Sequence, residues 1–313
     1  MPRASVLLTL ILLALTYAPA QAQDWAPTGA ALTWDNDLFG GSDRHYSNGV
    51  ALSLFGHVPP HAAPRLLGDD AEWRLTLGQQ IYTPEALRDP DPIPGDRPYG
   101  GWLYLGLTLT DHDAELERTH LFGVDLGVVG PASGAEELQR FVHGNLLQGV
   151  LPRGWRHQLA TEPGLILRYE LAQRLERGEL AVAGLAHDLA ARVGFELGNV
   201  RTGAWLGLTG RVGWGLPDPY ARASDPGRDL RLYLTASLDL RVVAHDVFLD
   251  GSVLRTGGPR VERNLLVARA AVGITIVLRD AISVSYQQIL VTPEFDGQAS
   301  VDSFGSFALT VTW

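Results

Sequence analysis

The stretch LYLTASLDLRV, residues 232–242, decides the fold class because every second side chain in it is apolar. The even positions carry leucine, alanine or valine, whereas the odd positions include Asp239 and Arg241. Successive side chains of a β-strand point to opposite faces of the sheet, so the alternation predicts a strand with one apolar and one polar face. The same period of two recurs along the chain, for example at 103–109, 122–128, 165–171, 272–278 and 307–313.

Alternation alone does not separate a soluble β-sandwich from a membrane β-barrel, but three further features favour the barrel. The apolar faces carry almost no charge, whereas the opposite faces carry residues such as Arg74, Asp125 and Arg168, which suit a polar lumen. Tryptophan and tyrosine lie near the segment ends, as in an aromatic girdle, and Trp313 closes the last alternating segment. Because lipid cannot satisfy the open edge of a sheet, the strands must close. We therefore predict an all-β fold, a transmembrane antiparallel β-barrel in the bacterial outer membrane.

The alternating segments number twelve. The segment 229–254 can be divided at residues 244–246, which would give thirteen strands. A single-chain bacterial barrel with both ends in the periplasm has an even number of strands, so we keep the segment whole and predict twelve. Charged side chains of both signs are expected to fill so narrow a lumen. The predicted strands are 28–38, 45–57, 70–82, 100–112, 119–130, 162–176, 179–197, 201–216, 229–254, 264–279, 281–293 and 299–313.

The longer connections are mostly odd-numbered in chain order, which places them outside the cell. The connection at 217–228 is also long, but in this count it is periplasmic and the sequence gives no reason for its length. A short helix is predicted in the longest of the extracellular loops. These loops are 39–44, 83–99, 131–161, 255–263 and 294–298.

Residues 1–22 have the organisation of a secretory signal peptide. Arg3 gives a positive start, an apolar stretch spans 6–15, and residues 20–22 form a small-x-small cleavage site. The apolar stretch is too short for the ~20 residues that a membrane-spanning helix needs. The predicted mature chain, residues 23–313, is therefore an exported barrel, and its insertion is expected to depend on the barrel-assembly machinery of the outer membrane.

The composition of the 313-residue chain excludes several classes of protein. There is no cysteine, which excludes disulfide scaffolds, cysteine nucleophiles and zinc–thiolate sites. All 25 basic residues are arginine, 35 acidic residues outnumber them, and the formal net charge is −10. This acidic balance argues against a nucleic-acid partner, which requires a basic surface.

The longest connection has helical spacing over residues 135–148. Ser133 followed by Glu136 fits a capping box at its start. Gln139 and His143 stand four residues apart and therefore face the same side of the helix. A histidine beside an amide in an outer loop is a candidate catalytic platform. The alternative, which spacing alone favours, is a loop plug with a solvent-facing histidine.

A second cluster lies at the first hairpin of the predicted barrel. Asn36 and Asp37 end the first strand and Ser47 follows the turn, so their side chains supply hard oxygen ligands that suit calcium. The alternative is ordinary turn chemistry, in which aspartate, asparagine and serine are common. Without further evidence, the turn interpretation is the stronger of the two.

A third cluster surrounds the second outer connection. Tyr82 precedes a loop rich in proline and glycine that carries Arg88 and Arg97. Guanidinium groups pair with phosphates in two-point geometry, so the two arginines are candidates for phosphate binding. A rigid loop in which Arg97 pairs with Asp96 or another carboxylate accounts for the same residues equally well.

Taken together and in order, these blocks resemble the lipid A 3-O-deacylase family of outer-membrane proteins. The resemblance runs from residue 28 to residue 163, and several spaced blocks in the right order are more specific than any one alone. It is carried by Asn36-Asp37, Asp43-Arg44-x-Tyr46-Ser47-x-Gly49, Gln80-Ile81-Tyr82-Thr83-Pro84, Gly95-Asp96-Arg97-Pro98-Tyr99, Gly127-Val128-Val129-Gly130-Pro131, Gln139-x-x-x-His143 and Gly154-Trp155.

The resemblance implies a site between the barrel wall and the helical loop, where calcium-dependent hydrolysis removes the ester-linked acyloxyacyl chain at the 3-position of lipid A. The expected substrate is thus the lipid A of lipopolysaccharide in the outer leaflet, among the lipids of the outer membrane. By the same resemblance, His143 is the general base for water and Gln139 its neighbour on the helix. Asn36 and Asp37 hold or orient the calcium ion, and Ser47 stands where the family has threonine or serine.

The chain departs from a characterised member of this family at two positions. Gln148 is the nearest counterpart of a loop glutamate that follows the histidine, and Glu137 and Glu162 are the alternatives. The chain has no lysine to meet the substrate phosphates, so Arg88 is the candidate replacement, with Tyr82 and Arg97 beside it.

Two other functions remain open at the level of sequence. One is a calcium-dependent outer-membrane phospholipase, in which Ser47 would be the nucleophile and His143 and Asn36 its partners. The other is a non-catalytic narrow barrel, either a channel or a structural protein.

Overall fold

Twelve antiparallel strands close into a barrel in the computed structural model. They are β1 (Gly29–Asn36), β2 (His45–His57), β3 (Glu72–Thr83), β4 (Gly100–Asp113), β5 (Arg118–Val129), β6 (Glu162–Leu180), β7 (Leu185–Gly198), β8 (Arg201–Trp214), β9 (Leu230–Asp246), β10 (Leu266–Leu278), β11 (Ile282–Val291) and β12 (Asp302–Thr312). Strands that are consecutive in sequence are neighbours in the sheet, and β1 pairs with β12 to close it. The predicted fold class and strand number are confirmed.

The structure describes residues 24–37, 45–62, 67–68, 71–142, 144, 151–181, 184–220 and 229–313. The predicted signal peptide and His143 lie outside these residues. Within the described ranges, no helix is both long and apolar enough to span a bilayer.

The alternation read from the sequence separates a lipid-facing surface from a polar lumen. In β9, Leu238 is 58% exposed while the adjacent Asp239 is 8% exposed. Ion pairs link inward-facing side chains of β7 and β9 across the intervening β8, as when Arg241 Nη2 lies 2.8 Å from Glu196 Oε1 and Arg192 Nη2 lies 2.5 Å from Asp239 Oδ1. Side chains therefore occupy the lumen, as the mixed charges predict.

The segment predicted as one strand at 229–254 is a strand followed by a helical turn. β9 ends at Asp246, whose carboxylate accepts a hydrogen bond of 2.8 Å from the amide of Phe248 and so caps the start of a short helix, Val247–Asp250. Phe248 is completely buried, and its ring stacks on Tyr82 with 4.1 Å between centroids. The helix thus packs inside the outer end of the barrel, and the chain enters β10 without a thirteenth strand.

The long periplasmic connection has a role that the sequence did not reveal. Its described part, residues 215–220, folds against inward-facing side chains of β5 and β6. Asp218 Oδ1 lies 2.6 Å from Arg174 Nη1, and the Tyr220 hydroxyl lies 3.0 Å from Thr119 Oγ1. Burial alone would raise the pKa of Asp218, but the Tyr220 amide and the Arg174 guanidinium lower it below its usual value. Residues 215–220 of the connection therefore pack against the lumen wall at its periplasmic end.

Candidate functional site

Side chains on the outward face of the barrel wall are exposed along most of the strand but become buried near the outer rim. On β3, Leu77 is 44% exposed, whereas Ile81, four residues further along the same face, is 1% exposed. Ile81 packs in a cluster with Leu87, Tyr99, Ala135 and Trp155, which come from the two connections β3–β4 and β5–β6. The loops thus cover a part of the wall that would otherwise contact lipid.

A helix at the start of the β5–β6 loop, α1 (Ala135–Phe141), lies directly on this wall. Gly101 faces outward beneath it, and a Cβ at that position would lie 2.1 Å from Ser133 Oγ and 2.3 Å from the Ala135 Cβ. Gln79 Nε2 donates a hydrogen bond of 2.5 Å to the Ser133 carbonyl. The missing side chain of Gly101 and the amide of Gln79 together fix where the helix begins.

The capping box predicted at Ser133 is not formed. Ser133 belongs to a preceding 3-10 turn, and its hydroxyl donates to the Gly130 carbonyl at 2.6 Å. The N-cap of α1 is Gly134, at a φ of 69°, and no side chain caps the helix. The short helix itself is confirmed from Ala135 to Phe141, while His143 and residues 145–148 of the predicted helix lie outside the described residues.

Introducing a side chain at Gly101 tests whether this contact holds the loop in place. In Gly101→Val, we expect the clash with Ser133 and Ala135 to lift α1 from the wall, because overpacking costs ~1–3 kcal/mol. Trypsin cleavage at Arg140 should then accelerate about tenfold, since proteolysis follows the population of the opened state. The heat-modifiable migration of the folded barrel should persist.

The matched control is Gly123→Ala, because a Cβ at Gly123 makes only an ordinary contact of 3.4 Å with the Arg168 Cβ. Cleavage of Gly101→Val at the wild-type rate would show that the close approach at Gly101 does not position the helix.

Gln139 of α1 is buried rather than exposed to solvent. Its Oε1 accepts a hydrogen bond of 2.8 Å from Trp155 Nε1, and Trp155 is completely buried. Within the part of the chain that the structure describes, Gln139 Nε2 has no hydrogen-bond partner. The amide predicted as a site residue is therefore fixed at its oxygen and offers its N–H groups.

Asn36 and Ser47 meet at the same rim on adjoining strands. Asn36 shares the outward face of β1 with Leu32, which is 42% exposed, yet Asn36 is only 5% exposed. It pairs in register with Asn48, and a β-bulge between Tyr46 and Asn48 contains Ser47. A β-bulge adds one residue to one strand of a pair and changes the direction of the neighbouring side chains. The structure thus gathers two predicted site residues on the wall, and both are buried.

Thr83 is a neighbour of Ser47 that the sequence did not identify as a site residue. The Ser47 and Thr83 hydroxyl oxygens lie 2.5 Å apart, and Thr83 is completely buried. Asp37 follows Asn36 directly and is also buried. The pattern Tyr82-Thr83-Pro84 contained Thr83, but only the pairing of β2 with β3 shows that it faces Ser47.

Tyr82 and Arg97 lie on the lumen side of the wall. The side chain of Arg97 is fully buried, with its guanidinium 5.2 Å from the centre of the Tyr82 ring and Nη1 3.2 Å from Glu294 Oε2. Arg97 thus pairs with a carboxylate in a packed loop, which is the alternative to phosphate binding that the sequence left open. Arg88, by contrast, is exposed on the β3–β4 loop. Of the three residues predicted to contact substrate, Arg88 is exposed, whereas Tyr82 and Arg97 are buried.

His45 is a second buried residue that sequence reasoning missed. Its Nδ1 lies 2.8 Å from the Asp302 carboxylate, and its Nε2 lies 3.6 Å from Asp96 Oδ1. Burial alone would raise the pKa of Asp96, but hydrogen bonds from His45 and from the Glu85 and Arg97 amides lower it. These contacts link His45 at the start of β2 with Asp96 in the β3–β4 loop and with Asp302 at the start of β12. His45 has a φ of 61°, which is rare for a side-chain-bearing residue and cannot be read from its neighbours.

The donor set near Asn36 fits a hard cation in type. Asp37 supplies a carboxylate, Asn36 an amide oxygen, and Ser47 and Thr83 hydroxyl oxygens, which are the ligand types of calcium. Among the described residues, no group of three or more histidine, aspartate or glutamate side chains converges to hold a metal ion. An ion here would therefore take most of its ligands from amide, hydroxyl and carbonyl oxygens and from water.

A closed twelve-stranded barrel with an apolar exterior and a polar lumen defines an integral outer-membrane protein. The family model described as Outer membrane protein LpxR matches residues 7–313, and the chain belongs to this family. No curated protein sequence matches the chain significantly.

A solved structure shows the same fold. The chain is similar to LpxR from Salmonella typhimurium at 22% identity and a TM-score of 0.75, covering 91% of this chain and 100% of that one. The β-domain of the Bordetella autotransporter BrkA is a weaker match, with 9% identity, a TM-score of 0.47 and coverage of 91% and 98%.

Proposed function

We propose that this protein hydrolyses the ester that links the acyloxyacyl chain to the 3-position of lipid A in the outer leaflet. The observation that carries the proposal is the burial of three polar side chains on the outward side of the barrel wall, Asn36 on β1, Ser47 on β2 and Gln139 on α1, which are called the covered patch. Membership of the LpxR family supports it. A lipid could reach such a site from the membrane without entering the barrel.

The position of the patch suits an ester at the boundary between headgroup and hydrocarbon. Leu32 and Trp34 on the same face of β1 are exposed, and the buried Asn36 follows them toward the outer rim. Tryptophan marks the interface of membrane barrels. An acyl chain lying along Leu32 would thus bring its ester oxygens level with Asn36.

Hydrolysis needs an activated water and stabilisation of the charge that develops on the carbonyl oxygen. In this proposal, His143 takes a proton from water, whose oxygen then bonds to the ester carbonyl carbon. The bond from that carbon to the sugar oxygen breaks, and the sugar oxygen takes the proton from His143. The products are a free acyloxyacyl carboxylic acid and a free 3-hydroxyl group.

Asn36 and Asp37 are the residues that would hold calcium, with Ser47 and Thr83 beside them. When bound, the ion would act as a Lewis acid toward the ester carbonyl. Gln139 supplies a hydrogen-bond donor, and Arg88 is the surface residue proposed to meet a lipid phosphate. The Ser47 and Thr83 hydroxyls are hydrogen-bonded and either can be the donor, so this contact does not distinguish activated water from a serine nucleophile.

Incubation of the purified protein with lipid A and calcium tests the proposal. The mass of the lipid should fall by that of one acyloxyacyl chain, and lipid A from cells that express the protein should show the same loss. Labelling by a serine-directed phosphonate would instead identify a serine nucleophile. An unchanged lipid A mass at every calcium concentration would refute the proposed activity.

A further inference from the structure

One buried hydrogen bond sets the orientation of the Gln139 amide. Trp155 Nε1 lies 2.8 Å from Gln139 Oε1. An indole N–H can only donate, so it pairs with the amide oxygen and not with the amide nitrogen. The opposite rotamer of the amide would place two donors against each other. The Gln139 NH₂ group is therefore directed away from Trp155.

Trp155 is held rigidly enough to impose this orientation. It is completely buried, and its ring centre lies 4.9 Å from that of Tyr99. A Cβ at Gly154 would lie 2.5 Å from the Tyr99 ring, so glycine permits this close approach. The Leu159 amide donates a hydrogen bond of 2.9 Å to the Tyr99 carbonyl. The β3–β4 loop thus anchors the indole from behind.

The other end of the amide has no partner in the described part of the chain. Gln139 Nε2 is buried from solvent and makes no hydrogen bond there. Most buried donors in proteins are paired, and exceptions call for an explanation such as a role in binding or catalysis. A donor of fixed direction beside the covered patch is suited to an oxygen atom of a bound lipid.

We infer that Trp155 is a positioning residue, which holds the Gln139 amide so that Nε2 donates a hydrogen bond to the carbonyl oxygen of the lipid ester. The inference rests on the proposed function. The carbonyl oxygen gains negative charge as water adds, and a donor already oriented there stabilises that charge without reorganising. Trp155 acts only through Gln139 and does not touch the lipid.

Trp155→Phe removes the indole N–H and keeps most of the buried ring. We expect kcat for lipid A deacylation to fall about tenfold with KM unchanged, because the amide can then adopt both orientations and its donor is no longer preset. Gln139→Glu keeps an acceptor for Trp155 but loses the donor, so it should be as impaired as Gln139→Ala. Trp102→Phe, which alters a similarly buried indole on the lumen side, is the matched control and should keep kcat within about twofold.

A double-mutant cycle separates positioning from packing. If Trp155 acts through Gln139, then Trp155→Phe should cause no further loss of kcat in a Gln139→Ala background. Losses that multiply in the double variant, or a Trp155→Phe variant with wild-type kcat, would overturn the inference while leaving the deacylase activity in place. An inactive wild-type protein would overturn the proposed function and this inference with it.

Discussion

Replacement of His143 by alanine is expected to reduce lipid A deacylation by about 10²–10⁴-fold, the contribution typical of a positioned general base. His143 lies four residues after Gln139, whose amide faces the covered patch on the barrel wall. Without the imidazole, no side chain at that position can take the proton from water. Mass spectrometry of lipid A after timed incubation with the purified variant measures the loss.

The barrel should remain folded in this variant, because its strands and their pairing do not depend on the β5–β6 loop. Heat-modifiable migration on a gel reports this. His157→Ala is the matched control, since His157 lies in the same loop, is partly exposed, and accepts a hydrogen bond from Arg156. Wild-type activity of His143→Ala would leave His143 as a surface residue of the loop and remove the general-base mechanism.

Removal of calcium is expected to abolish activity, and the variant Asp37→Asn should require about 100-fold more calcium than the wild type. Calcium affinity depends on the number of charged ligands, and this variant replaces a buried carboxylate with a neutral amide of similar shape. The measurement is the initial rate of deacylation against free calcium, buffered with a chelator. Restored calcium should restore the rate.

Asp91→Asn provides the control for this prediction. Asp91 is an exposed carboxylate of the β3–β4 loop that pairs with Arg156, and its removal should leave the calcium dependence unchanged. Full activity in excess chelator, together with a wild-type calcium profile for Asp37→Asn, would exclude a calcium site at this position.

The sequence was a good guide to the barrel because a membrane strand is a local pattern. Leu238 and Asp239 already show which face meets lipid and which meets the lumen. The even number of strands came from the expectation that both ends of the chain lie in the periplasm. The end of β9 was misjudged because Val247, Phe248 and Leu249 continue the apolar composition of the strand, while the helical turn depends on the Asp246 cap.

The covered site was less predictable because it depends on contacts between distant segments. Ile81 and Asn36 occupy positions that a period of two assigns to lipid, and only the loops above them remove them from it. The capping box failed at Ser133 because its hydroxyl closes the preceding turn instead. The motif Gly154-Trp155 was part of the family resemblance, but its position in the sequence did not indicate that Trp155 contacts Gln139.

The two obstructions of the lumen, the helix at Val247–Asp250 and residues 215–220, bear on the cell that makes this protein. Because these segments and the paired charges occupy much of the lumen, the barrel is expected to conduct ions and small solutes poorly. Its presence should therefore add little to the permeability of the membrane that contains it.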